Sequence, residues 1–308
     1  MTLMSEPLVP EWDPRELPEV VKDGKGKGVS WYTPTFLITG TSGSGKSAIA
    51  EAILKALADR YPRVYWITGG DRTNAENWLP NNHVIFLSAG YEGKVPFQDK
   101  HHLVMNEDMV AGLIQGLIQV NKDLMALPPR KRNVDNRVFI VFDDFTHLDL
   151  FGYRRTKSPI GQLGITLTTT TATDLGISTM FLTHDLTTIQ PKIRDQCKIN
   201  IYLCPSNHAL NMVETACNFR VGSKRDFCEF VNKICHGHTA AVFDRGEVIK
   251  QAQRPNPGWY SFNSQDFHFV GPILGGKELP VLLGCKEMWK KDPRYRKTYP
   301  YPARYIVK

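Results

Sequence analysis

Six cysteines stand in 308 residues, at 197, 204, 217, 228, 235 and 285, and no two of them form a C-x-x-C pair. With the chain read as intracellular, a disulfide framework is not expected. Cys228, Cys235, His236 and His238 are metal-ligating types close together, but their spacing fits no standard zinc finger, so buried or surface thiols are expected instead. No apolar run reaches the ~18 residues that a membrane span requires, so no membrane anchor is expected. The opening MTLMSEPLVPEWDPRELPEV is acidic and proline-rich. It lacks the basic start and apolar centre of a signal peptide, and a reducing compartment is expected. No repeat of fixed period is present, which sets aside solenoids and propellers.

What is present is ample apolar content, 42% of the chain, enough for one large core. The net charge is +7 and the isoelectric point about 9.0. That balance fits a nucleic-acid or membrane-surface partner, and equally a solvated basic surface.

Short apolar runs alternate with helical spacing from Thr35 onward. TFLIT at 35–39, RVYWIT at 63–68, HVIFL at 83–87, RVFIVF at 137–142, TMFLT at 179–183 and INIYL at 199–203 read as strands. Residues 107–127 carry Met109, Leu113, Leu117, Ile118 and Leu124 on or near one helical face. Alternation of this kind predicts a largely parallel sheet covered by helices on both faces. Three regions follow: an irregular N-terminal arm or lid over residues 1–34, a core domain over 35–250, and a C-terminal tail over 251–308. The tail ends WKKDPRYRKTYPYPARYIVK, with tyrosines among Lys290, Lys291, Arg294, Arg296, Lys297 and Arg304. It reads either as a surface for nucleic acid or for a capsid, or as an arm wrapping its own domain or a neighbour.

Three segments carry chemistry. Gly40-Thr41-Ser42-Gly43-Ser44-Gly45-Lys46-Ser47 is a full Walker A pattern between a strand and a strong helix former. Its glycines let backbone amides approach phosphates at a helix N-terminus, Lys46 reaches the β- and γ-phosphates, and Ser47 ligates Mg²⁺. VFIVFDD at 138–144 is a Walker B pattern, an apolar strand ending in Asp143 for the Mg²⁺ and Asp144 to orient or deprotonate an attacking water. The run at 179–183 also ends in polar groups, Thr183 and His184, either of which is placed to sense a γ-phosphate; a surface strand end is the plainer reading. Between the last two lies FGYRRTK at 151–157, a basic stretch that suits DNA phosphates, a neighbouring subunit, or plain solvent.

Residues 40–47, 138–144 and 179–194 together resemble the viral genome-packaging branch of the FtsK–HerA superfamily of DNA motors. HTAAVFDR at 238–245 is similar to the strand that closes such domains, and the Asp-Asp and His endings also resemble the adenovirus packaging ATPase. The likeness runs over about residues 35–246. It implies an α/β P-loop NTPase, RecA/ASCE-like, using ATP and Mg²⁺. It further implies a motor that pumps double-stranded DNA into a preformed capsid, as a ring of five or six subunits with ATP at their interfaces. Capsid or portal-vertex proteins would be its partners. Its place would be the virion or an intracellular viral assembly site, in nucleus or cytoplasm, without secretion.

Two departures stand out. The family's sensor is most often Gln, and here it is His184. The family's Arg-His pair before the sensor strand has no counterpart in TDLGIS at 173–178. The trans-acting arginine is therefore sought among Arg154, Arg155, Arg194 and Arg220. The expected catalytic set is Lys46, Asp143, Asp144, His184 and Arg194. A helicase or plasmid-transfer ATPase would share these motifs, and a small-molecule or nucleoside kinase would share the first. An ABC-type ATPase is disfavoured, since no LSGGQ-like segment is present.

Overall fold

The computed structural model of the protein describes residues 9–18, 20–22, 29–57, 60–70, 73–79, 83–89, 103–127, 137–169, 174–203, 223–236, 239–254, 256–264, 273–274 and 277–278. A small antiparallel pair, β1 (Val20–Lys22) and β2 (Val29–Trp31), precedes the main sheet. That sheet is built from β3 (Thr35–Gly40), β4 (Arg63–Thr68), β5 (Val84–Leu87), β6 (Leu103–Met105), β7 (Val138–Asp143), β8 (Ile177–Thr183), β9 (Ile199–Leu203), β10 (Thr239–Asp244) and β11 (Trp259–Asn263). Its nine strands run in the order β11-β10-β9-β3-β8-β7-β4-β5-β6. From β9 to β6 all neighbours are parallel, and β10 and β11 close the other edge antiparallel.

The central strands are buried along their whole length, which is why VFIVFD and ISTMFLT read as continuous apolar runs and not as alternating ones. Their side chains still alternate between two cores. Leu37, Ile140, Phe142 and Phe181 face one side, together with Val110, Ile114, Leu163 and Phe227 from three helices. These helices are α2 (Glu107–Ala126), α3 (Pro159–Thr168) and α5 (Lys224–Ile234). Phe36, Ile38, Val141 and Met180 face the other, under Ile49, Ala50, Ile53 and Leu54 of α1 (Lys46–Ala56).

Helix starts follow local chemistry. Asn106 accepts the Met109 amide at the head of α2, where Glu107 and Asp108 complement the helix dipole. Ser158 caps α3 ahead of Pro159, and Ser223 with Asp226 forms a capping box on α5.

Two expectations change. The arm over 1–34 is not a lid across its described part. The Trp12 amide donates to the Ser261 carbonyl and the Ser261 amide to the Pro10 carbonyl, at 2.8 and 2.9 Å. Val9, Trp12 and Leu17 are buried, and the Arg60 guanidinium holds the Arg15 and Leu17 carbonyls. The sheet also continues past residue 250: β11 pairs with β10 from Trp259 to Asn263, and Trp259 is buried among Tyr202, Phe227, Phe230 and Phe243. The basic stretch at 290–304 lies outside the described residues. Cys228 and Cys235 are buried, and the Cys235 thiol donates to the Tyr202 carbonyl. Among the described residues no helix is long and apolar enough to cross a membrane.

Candidate nucleotide site

In an open parallel sheet, ligands meet the carboxyl ends of the strands where the chain reverses its direction of build. Here that point is β3. After α1 the chain skips two strand positions to β4, builds outward to β6, returns through β7 and β8, and crosses β3 to β9. The loop leaving β3 is residues 41–45. Gly43 and Gly45 have φ of +74° and +94°, a left-handed conformation that side chains disfavour, and Gly45 caps α1. The amides of the first turn of α1 have no intrahelical acceptor, so the loop presents donors to an anion. Ser44 Oγ is buried without a hydrogen-bond partner, which suits a loop made to receive phosphate oxygens.

Lys46 is buried at the start of α1. Its Nζ donates to the carbonyls of Gly40 and Thr41 and meets His184 Nδ1, each at 2.9 Å. Burial lowers its pKa, and the charges of Asp143 and Asp144 oppose that. The next residue, Ser47, places Oγ 3.5 Å from Asp143 Oδ2. A hydroxyl and a carboxylate converging beside a phosphate loop are the oxygen donors that Mg²⁺ takes, so these residues fit the ion the sequence implied.

Asp143 ends β7 and is only 8% exposed. Burial and then the Asp144 charge push its carboxyl up to about 6, against the pull of Lys46. Asp144 turns out of the strand at φ +48°, a strained conformation for a side-chain-bearing residue. What holds it is Gly69, just past β4. The Gly69 amide donates to the Asp143 carbonyl at 2.9 Å, and a Cβ on Gly69 would lie 2.2 Å from the Asp144 carbonyl oxygen. Sequence reasoning missed Gly69. The signal was the Gly69-Gly70 pair directly after the second strand.

β8 lies between β3 and β7, so its end falls between the two nucleotide motifs. Thr183 and His184 are now distinguished. The Thr183 hydroxyl is bonded to the Asp185 carbonyl and to Thr188 Oγ1, at 2.7 and 3.0 Å, within its own turn. His184 faces the loop, with Nδ1 on Lys46 and Nε2 3.7 Å from Asp144 Oδ1. Burial and then the Lys46 charge lower its pKa, opposed by Asp144.

Lys46, Ser47, Asp143, Asp144 and His184 are thus brought together, and Arg194 is not. It ends the short α4 (Pro191–Arg194) and pairs with Asp195 at 3.5 Å. Two residues on, the Gln196 carbonyl accepts from Thr35 Oγ1 at 3.5 Å, at the end of β3 away from the loop. Arg194 therefore does not reach this chain's own phosphate loop. Arg155 pairs with Glu107 at the head of α2, and Arg154 is exposed. Arg220 lies outside the described residues.

Strand order and loop geometry together define a P-loop NTPase of RecA/ASCE-like build, an α/β protein with the sensor strand set between the two motif strands. No family model and no curated protein matches the chain. Among solved structures it is similar to the genome packaging NTPase B204 from Sulfolobus turreted icosahedral virus 2 in complex with sulfate. Identity there is 12%, over 79% of this chain and 98% of that one, with a TM-score of 0.47. With the same NTPase in complex with ATP-gammaS the figures are 12%, 69%, 93% and 0.46. The monomer form of the pCW3 conjugation coupling protein TcpA with ATPgS is 18% identical over 86% of this chain and 72% of that one, with a TM-score of 0.49.

Proposed function

We propose that the protein is an ATP-driven translocase of double-stranded DNA that packages a viral genome into a preformed capsid. The observation that carries the hydrolytic part is the convergence of Lys46, Ser47, Asp143, Asp144 and His184 at one end of the sheet. Ser47 and Asp143 would hold Mg²⁺, which when bound would offset charge on the β- and γ-phosphates. Lys46 exchanges its loop carbonyls for phosphate oxygens and stabilises the charge that develops there. Asp144, half exposed beside the buried Asp143, takes the proton of the attacking water. A carboxylate so placed can take the proton of water or of a bound hydroxyl acceptor, so the assay has to separate hydrolysis from a kinase's transfer.

The DNA, the capsid and the ring rest on the motif resemblance, and the +7 net charge agrees with a phosphate-backbone partner. A motor that tracks any sequence needs phosphate contacts and few base contacts. In this reading subunits form a closed ring, a neighbour's arginine completes each site, and the protein acts in the virion or at an intracellular assembly site, against capsid or portal-vertex proteins.

The test is Mg²⁺-dependent ATP hydrolysis with and without duplex DNA, on the wild type, Lys46→Ala and Asp144→Asn. Duplex DNA stimulates turnover, and both substitutions abolish it. Turnover that ignores DNA and responds to a nucleoside acceptor overturns the proposal in favour of a kinase.

A further inference from the structure

The contact between Lys46 and His184 has a consequence for how the site switches on. An ammonium group has three N–H donors and no acceptor. The three atoms around Lys46 Nζ at 2.9 Å are the Gly40 oxygen, the Thr41 oxygen and His184 Nδ1. Every donor therefore has an acceptor, and His184 Nδ1 must be one of them. The ring proton of the neutral imidazole then sits on Nε2, on the side of Asp144. That side is left open: 3.7 Å to Asp144 Oδ1 is beyond a hydrogen bond. The imidazole is thus hydrogen-bonded to the lysine and in only a long electrostatic contact with the aspartate.

The backbone is held at both ends of this triad. Asp144 has its backbone pinned in a left-handed turn against Gly69, and Lys46 is fixed by the head of α1. The His184 side chain, about a third exposed, has room to turn toward the half-exposed Asp144 carboxylate. Phosphate oxygens at the loop draw the ammonium away from its three acceptors and strip Nδ1 of its donor. The ring can then close the gap to Asp144.

We propose that His184 is a latch on the P-loop lysine: it holds Lys46 back from the phosphates in the resting protein, and on release it turns to Asp144 and positions that carboxylate for the attacking water. This rests on the nucleotide-site reading above. It makes His184 a positioning residue that opposes nucleotide binding and supports turnover, a pairing that a simple phosphate contact does not produce.

The experiment compares full-length wild type with His184→Ala, His184→Phe and His184→Gln. Calorimetry gives the affinity for a non-hydrolysable ATP analogue with Mg²⁺, and steady-state assay gives kcat. Loss of one acceptor on a charged donor should tighten analogue binding about five- to tenfold in the Ala and Phe variants, and kcat should fall by about tenfold or more. Gln offers one acceptor and one donor, as neutral His does, and should stay within about threefold of wild type in both. The Phe variant fills the same space without an acceptor, so agreement with Ala separates the lost bond from lost packing. Equal or weaker binding in Ala and Phe overturns the latch. Absence of binding by the wild type would instead overturn the nucleotide-site reading itself.

Discussion

Asp143→Asn should make the nucleotide-free protein more stable while abolishing its chemistry. The Asp143 carboxyl is raised from 3.8 to about 6, chiefly by burial. At 1.36 kcal/mol per unit of pKa, an ionised Asp143 costs the folded state about 3 kcal/mol once pH is well above 6. The sign follows from proton counts. Below pH 3.8 both states hold the proton and there is no penalty. Between 3.8 and about 6 the unfolded chain gives up its proton first, so stability falls as pH rises. Asparagine keeps the shape and removes the charge. At pH 8, in chelator and without nucleotide, the variant should gain about 3 kcal/mol, roughly 6–10 °C in Tm for a domain of this size. At pH 5 the gain should shrink to about half. With Mg²⁺ and an ATP analogue the wild type should gain stability and the variant should gain far less. Urea titrations at the two pH values measure both gains. A variant that is less stable than wild type at pH 8, or equally stabilised at both pH values, refutes the reasoning.

Three other substitutions probe the supports of the site. Gly69→Ala puts a Cβ 2.2 Å from the Asp144 carbonyl oxygen, so one strand end must shift; about 1–3 kcal/mol of stability and most of the turnover should be lost, read by urea titration and steady-state assay. Thr183→Ala breaks three hydroxyl bonds inside its own turn and should cost about 1–2 kcal/mol in urea while kcat stays within about twofold, in contrast to His184→Ala. Trp12→Ala empties the contact with Phe262, whose ring centroid is 5.5 Å away, and should cost about 3–5 kcal/mol; an unchanged Tm would mean that the N-terminal segment is a loose arm after all.

The strands that carry the site were legible because each is buried on both faces and so forms an unbroken apolar run. VFIVFD ends in its aspartates, and TMFLT in its histidine, where a parallel sheet needs polar ends. β6 and β11 escaped notice. LVM is three residues long, and WYSFN follows a proline-rich stretch with no period of its own. The N-terminal strap was read as irregular because its partner, Ser261, is some 250 residues away in sequence. No local pattern encodes a pairing of that span.

Within the site, the sequence named residues that the structure brings together but left their partners open. Thr183 and His184 are adjacent, and only the turn that uses the threonine hydroxyl shows which of them reaches the loop. Arg194 is a candidate trans-acting arginine because it lies in the segment after the sensor that resembles the family's. The intervening turn carries it toward the start of β3, away from its own subunit's loop. Gly69 reads as turn chemistry until the strained backbone of Asp144 is seen against it.

The central proposal, a motor on duplex DNA, is tested most directly by displacement of a triplex-forming strand from a linear duplex. With ATP and Mg²⁺ the wild type should strip the third strand and leave the two duplex strands paired, and Lys46→Ala should leave the third strand in place. ATP hydrolysis without displacement, or displacement accompanied by separation of the duplex strands, would contradict the account.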